Sequence, residues 1–309
     1  MNRQSRIKHW SQHGVSRMND LDFIRYSRQI LLDEVGESGQ ASLLVRHVVV
    51  IGVGGLGSLV SQQLAAAGVG RLTLVDHDCV ELSNLPRQLL FNESDIGKNK
   101  AITARDKLAL AYSQCKIESV TDKFGPDNGA SLVKMADMVI DCTDNFISRQ
   151  QVNRYCVEAL RPLVTASVAH FHGQIFTVDT NSAPESGCYH CLFPDDSQVS
   201  ETCRNVGVLG PMVGVMASMQ ALMAINYLLG IVQCSGKLMR FDGLNLKWRE
   251  ASLSRDPLCH VCSLEDNGSS RHQPSHEHSC HDLSRNNQPF NDQSCSKQPF
   301  NEESCHEPD

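Results

Sequence analysis

Between residues 47 and 180 the hydrophobic positions fall into short unbroken runs separated by longer amphipathic ones. His47-Val48-Val49-Val50-Ile51 is apolar and β-branched and closes on Gly52, the pattern of a strand buried on both faces. Residues 56–67 follow with helical spacing and stop at Gly68. The same reading predicts strands over 72–75, 117–120 and 138–140, the last ending at Asp141, and a helix over 98–112. A helix over 146–160 and strands over 163–165 and 174–178 continue the alternation, with late strands near Arg240-Phe241 and Trp248. Such alternation predicts a Rossmann-like α/β fold, a mainly parallel sheet with helices on both faces and antiparallel strands added late.

The most apolar stretch, residues 211–230, would be about 30 Å long as a helix. That length suits a membrane span, but Ser218, Gln220 and Asn226 would need partners in lipid, so a buried or interface helix is expected. Residues 1–17 have no apolar run of signal-peptide length, carry four basic residues and no acid, and are expected to be a disordered extension. After residue 264 the composition changes. Residues 265–309 contain one Leu, two Phe and no Val, Ile or Met, too little apolar surface to offset ordering entropy. They also repeat one octet, Gln288 to Cys295 and again Gln298 to Cys305, and five His and three Cys there could hold metal only loosely. This predicted disordered tail holds nine acids and three bases, so it supplies -6 of the chain's net charge of -7. The remaining 264 residues are nearly neutral, which excludes a broad nucleic-acid-binding surface.

Gly52-Val53-Gly54-Gly55-Leu56-Gly57 sits between a predicted strand and a predicted helix. Backbone there can approach a phosphate with no Cβ in the way, and the helix start presents free N–H groups to its charge. Asp76 ends the next strand, nineteen residues past Gly57, where a carboxylate can accept ribose hydroxyls. These features predict a nucleotide site, with NAD as the default occupant. Other residues argue for a triphosphate with Mg²⁺. Ser83-Asn84-Leu85-Pro86-Arg87-Gln88 follows the acid, Lys100 opens the next helix, and Asp141-Cys142-Thr143-Asp144-Asn145 lies at a strand's carboxyl end. Against this, Arg87 and Lys100 could be merely solvated, and Asp144 could be a helix cap.

Thirteen cysteines and no secretory signal predict a reducing, cytoplasmic setting, so paired cysteines read as metal or redox sites before disulfides. Cys188-Tyr189-His190-Cys191 and Cys259-His260-Val261-Cys262 are two C-x-x-C knuckles separated by residues 192–258. Each turn offers two thiolates, and together they predict a structural Cys₄ zinc site with His190 and His260 as bystanders. The alternative for either pair alone is redox chemistry. Cys203 stands apart in a polar stretch beside Arg204, whose charge favours the thiolate.

Arg25-Tyr26-Ser27-Arg28-Gln29-Ile30, the Gly52–Gly57 loop, residues 82–88, Asp141 to Asn145 and both knuckles together resemble the ThiF/MoeB/HesA family, relatives of the ubiquitin-activating enzymes. The resemblance runs from about Met18 to Cys262 and makes residues 18–264 an ATP-binding adenylyltransferase domain. Residues 18–33 and 187–191 look most like the ThiF branch. The resemblance implies adenylylation of the C-terminal glycine of a small ubiquitin-like sulfur carrier, ThiS-like, for thiamin thiazole synthesis, by a homodimer that also meets a sulfur donor. By the same resemblance Gly52, Gly54, Gly55, Gly57, Asp76, Ser83, Asn84, Leu85, Pro86, Arg87, Lys100, Asp144 and Asn145 hold ATP. Asp144 would carry Mg²⁺, Arg28 would reach the partner subunit's site, and Cys203 would act in sulfur transfer. Pro86 departs from the family, in which Gln or His is common there. A MoeB-like carrier adenylyltransferase is the alternative within the family. An NAD-dependent oxidoreductase and a nucleotide-binding scaffold without turnover are the alternatives outside it.

Overall fold

A sheet of eight strands carries the molecule, in the order β3-β2-β1-β4-β5-β6-β7-β8. The computed structural model describes residues 18–195, 207–231 and 235–263. The strands are β1 (His47–Ile51), β2 (Arg71–Val75), β3 (Lys116–Val120), β4 (Met138–Asp141), β5 (Leu163–Ala169), β6 (His172–Val178), β7 (Lys237–Asp242) and β8 (Lys247–Ser252). The helices are α1 (Asp20–Ile30), α2 (Gly36–Leu43), α3 (Gly55–Ala66), α4 (Lys100–Ala111), α5 (Gly129–Met135), α6 (Phe146–Glu158), α7 (Tyr189–Leu192) and α8 (Gly210–Leu228). The chain divides into units Met1–Leu264 and Glu265–Asp309, and all described residues belong to the first.

β3, β2, β1, β4 and β5 run parallel, and β5 to β8 run antiparallel to one another. The expected mainly parallel sheet with late antiparallel strands is therefore the fold. Val48, Val49, Val50, Met138, Val139 and Ile140 are all 0% exposed, as continuous apolar runs on a two-sided sheet require. One cluster includes Val48, Val50, Leu72, Leu74 and Ile140 with α3 and α8; the other includes Val49, Ile51, Val139 and Leu163 with α6 and the cysteine knuckles. Strands β5 and β6 extend beyond their predicted ends because a tight turn at His170, with φ of 52°, joins them as a hairpin. α1, α2 and α5 were not predicted: α1 turns most of its apolar residues outward, and α2 and α5 are only eight and seven residues long.

The apolar helix of residues 210–228 is a core helix. Met216, Ala217, Ala221 and Ala224 are buried against the sheet. Gln220, 0% exposed, donates from Nε2 to the carbonyls of Asp141 (2.8 Å) and Val164 (3.1 Å), and Cys142 Sγ reaches its Oε1 at 3.4 Å. The polar group in the apolar run thus pins the carboxyl end of β4 to β5.

Candidate functional site

The strand order reverses between β1 and β4: β1 continues to β2 on one side, while β4 lies on the other. A crevice at the carboxyl ends of such strands is where open α/β sheets bind ligands. The Gly52–Gly57 loop leaves β1 there, Asp76 follows β2, and Asp141 to Asn145 leave β4.

Two glycines in the loop have steric reasons. Gly52 has φ of +87°, and a Cβ on it would lie 2.8 Å from the Cys142 carbonyl oxygen. A Cβ on Gly57 would fall 1.8 Å from the Gly52 carbonyl oxygen, a position no side chain can take. Gly54 precedes α3 and offers no side chain to cap it, so the first-turn N–H groups have no side-chain acceptor. Gln88 lies beside this loop, 3% exposed, with Oε1 lacking any hydrogen-bond partner. A buried acceptor without a partner and an uncapped helix start both fit a bound nucleotide.

Asp76 braces the loop from below. Its Oδ2 accepts the Val53 N–H at 2.6 Å and its Oδ1 accepts the Asp78 N–H at 2.8 Å, leaving a lone pair on each oxygen. Burial pushes its carboxyl above the ordinary aspartate range, and the two amides and Lys100 only partly offset this. Lys100 is 6% exposed, which removes the solvated reading; its Nζ lies 3.3 Å from Asp78 Oδ2. Asn99 caps α4 through the Ile102 N–H (3.1 Å) and donates to the carbonyls of Asp76 and Asp78. Asp78 and Asn99 escaped the sequence reading, although Asn before a helix is a cap signal.

Residues 82–84 form a 3₁₀ turn in which Asn84 is buried and Ser83 is exposed, followed by Leu85 and Pro86. Arg87 Nη1 donates to the Ser83 carbonyl at 2.8 Å, which curls the guanidinium over that turn. The carbonyl oxygen of Pro86 sits where a Cβ on Gly210 would be, 2.5 Å away, so this segment packs on the start of α8. After β4, Asn145 rather than Asp144 caps α6, accepting the Ser148 N–H at 2.9 Å. Asp144 is thus spared the capping role, and its Oδ1 accepts from Asn145 Nδ2 at 3.4 Å. A cavity of about 600 Å³ opens at the same edge of the sheet, lined by Ser167 and Gln174 and by the paired arginines Arg240 and Arg249.

Arg28 lies elsewhere. It is exposed in the last turn of α1, whose Gln29 Nε2 reaches the Ala67 carbonyl (3.4 Å) and whose Tyr26 packs against Gly68. Ala67 and Gly68 end α3, so the crevice lies a helix length away, roughly 18 Å for twelve residues. Cys203 lies outside the described residues.

The four knuckle cysteines do converge. Cys188 Sγ is 3.9 Å from Cys191 and 3.8 Å from Cys259, Cys191 is 3.4 Å from Cys262, and all four sulfurs lie within 4.8 Å of one another. Thiolates about 2.3 Å from a tetrahedral ion stand about 3.8 Å apart, so the set fits zinc. By accepting from its neighbours Cys191 is held far below the ordinary thiol range, while donating to it pushes Cys188 up to about 12. The first knuckle is anchored by Tyr189, whose N–H meets Asn153 Oδ1 at 3.0 Å and whose ring stacks on Phe176 with centroids 6.0 Å apart. His190 is no bystander: its Nδ1 lies 3.4 Å from Cys259 Sγ.

Fold and site together define a nucleotide-binding protein of the Rossmann-like class with a cysteine cluster beside its antiparallel strands. Residues 26–261 match the ThiF family, and the chain belongs to that family. It is 44% identical over 246 residues to the sulfur carrier protein ThiS adenylyltransferase of Escherichia coli strain K12, covering 79% of this chain and 97% of that one. The molybdopterin-synthase adenylyltransferase of the same strain is 40% identical over 249 residues, covering 80% and 99%. Among solved structures, E. coli MccB with MccA-N7isoASN superposes with a TM-score of 0.69 at 26% identity, covering 77% of this chain and 74% of that one.

Proposed function

We propose that this chain is a sulfur carrier protein adenylyltransferase, that its carrier is ThiS-like, and that it serves thiamin thiazole synthesis. The observation that carries the reading is the uncapped α3 start beside Asp76 and buried Lys100, in a chain 44% identical to a ThiS adenylyltransferase. The nucleophile is the carrier's C-terminal glycine carboxylate, which is ionised at neutral pH and needs no general base. Its oxygen attacks the α-phosphorus of ATP, the bond from that phosphorus to the bridging oxygen breaks, and pyrophosphate leaves. Catalysis then rests on alignment and charge neutralisation. Asp76 offers its two free lone pairs to the ribose hydroxyls. Lys100 and Arg87 face the phosphates, and Asn145 holds the α6 start from which Asp144 would bind the Mg²⁺ that accompanies ATP. The Arg240–Arg249 cavity on the same edge suits an incoming carboxylate tail.

Zinc is proposed for the four cysteines, with a structural role. A homodimer is proposed from α1 and its C-cap Leu31, where Leu21, Ile24 and Leu31 are each more than 70% exposed around Arg28. A second copy covering that face would bring Arg28 to the other subunit's crevice. Mixing inactive Arg28→Ala with inactive Asp144→Ala should then restore about a quarter of the activity, since half the dimers are hybrids with one intact site. A mixture that exchanges subunits and stays inactive overturns the shared site.

The molybdopterin branch remains the second reading because the 40% relative covers as much of the chain. ATP–pyrophosphate exchange with each purified carrier separates the two: a ThiS-like carrier should support it and a molybdopterin-synthase carrier should not. Exchange with neither carrier, with ATP bound, would favour a scaffold, and nicotinamide binding would favour an oxidoreductase. Cys203→Ser should keep exchange and lose thiocarboxylate formation, which places that thiol after adenylylation.

A further inference from the structure

Outside the four cysteines, the two knuckles bring a second set of ligand atoms together. Nε2 of His190 and Nε2 of His260 each lie 3.6 Å from the same oxygen, Asp195 Oδ2. The three atoms are within 4.8 Å of one another, and the two imidazole rings meet edge to face with centroids 4.2 Å apart. A separation of 3.6 Å is too long for a hydrogen bond. It is close to the roughly 3.4 Å between ligand atoms that sit 2.0–2.1 Å from one tetrahedral ion.

A second observation points to the same place. His190 is 8% exposed, yet its Nε2 has no hydrogen-bond partner. Its other nitrogen, Nδ1, lies 3.4 Å from Cys259 Sγ, so the ring is held between the two clusters. Nε2 is aimed at Asp195 and His260. A buried ring nitrogen without a partner is costly unless something meets it.

We infer that His190, Asp195 and His260 form a second divalent-cation site of the zinc class, separate from the four cysteines. Two imidazoles and one carboxylate suit Zn²⁺ or Co²⁺ and not Mg²⁺. Asp195 and His260 are two-thirds exposed, so the remaining coordination position opens to water. With three protein ligands against four, the site is weaker than the cysteine cluster and fills after it.

Co²⁺ titrated into full-length protein carrying a single zinc equivalent, which the four cysteines take first, tests this. The chain carries other histidines and cysteines in residues 1–17 and 265–309, so the reading is the difference between wild type and variants. His260→Ala and Asp195→Ala alter exposed side chains and should fold normally. Each should take up one Co²⁺ equivalent fewer than wild type. The lost equivalent should show visible d–d absorption without near-ultraviolet thiolate charge transfer. Equal uptake in wild type and both variants overturns the second site. A lost equivalent with thiolate bands also overturns it, because the cysteine cluster would then be the site disturbed. Neither result touches the adenylylation reading, which the pyrophosphate exchange assay tests separately.

Discussion

The crevice at the Gly52–Gly57 loop is made of backbone, whereas the cysteine knuckles are made of side chains. At the loop, main chain packs directly on main chain because atoms are absent: a Cβ on Gly52 or Gly57 would lie 2.8 Å or 1.8 Å from a carbonyl oxygen. At the knuckles, four sulfurs from chain segments 71 residues apart are held within 4.8 Å, and aromatic rings under Tyr189 hold them there. A backbone site is built as soon as its strand and helix form. A side-chain site needs distant segments brought together, and the proposed metal would add to its stability. The two regions should therefore fail differently when altered.

The largest effect is expected from Gly57→Ala. Its methyl would overlap the Gly52 carbonyl, and backbone at the end of β1 cannot move without breaking the sheet's centre. A loss of more than about 4 kcal/mol is expected, with little soluble folded protein. Thermal melting within a few degrees of wild type would show that the loop relaxes and is not the rigid element described. Cys262→Ser comes next. It removes one of the four proposed zinc ligands, and its expected cost of about 4 kcal/mol corresponds to roughly 10 °C in Tm for a domain of this size. ATP binding to the surviving folded fraction should stay near normal, because the loop depends on no cysteine outside the core. A variant that keeps its Tm but loses ATP binding would join the two regions and break the contrast.

The contrast also explains what the sequence disclosed. Backbone requirements are written locally: glycines after a β-branched run, an acid nineteen residues on, and each parallel strand as one apolar stretch. The C-x-x-C pairs were equally plain because their spacing is itself the ligand geometry. Hidden were the contacts between distant segments. Gln220 reads as a polar flaw in an apolar helix until the helix docks and its amide meets the carbonyls of Asp141 and Val164. Asp78 becomes the partner of Lys100 only when α4 packs beside β2. His190 and His260 look incidental one knuckle at a time and meet only once the knuckles close. α1 was missed for the opposite reason, since its apolar residues face outward and give no core periodicity.

The smallest effect tests the one side chain on which the backbone site leans. Asp76 holds the Val53 and Asp78 amides with its two oxygens, yet burial outweighs these bonds and raises its carboxyl above 3.8. The folded protein therefore binds this proton more tightly than the unfolded chain does. Its contribution to stability is greatest below pH 3.8, declines as the pH rises through the window up to the raised folded value, and is constant above it. Asp76→Asn does not titrate there, and its amide loses one acceptor, a cost that does not vary with pH. The difference in unfolding free energy between wild type and Asp76→Asn should thus move toward wild type on acidification from about pH 7 to about pH 4. Urea denaturation of both proteins at the two values measures it, and groups common to both cancel. A difference moving the other way would mean that the charged carboxylate is the favoured form. The loop would then be held by a side-chain charge, as the knuckles are held by thiolates, and the distinction between the two regions would not stand.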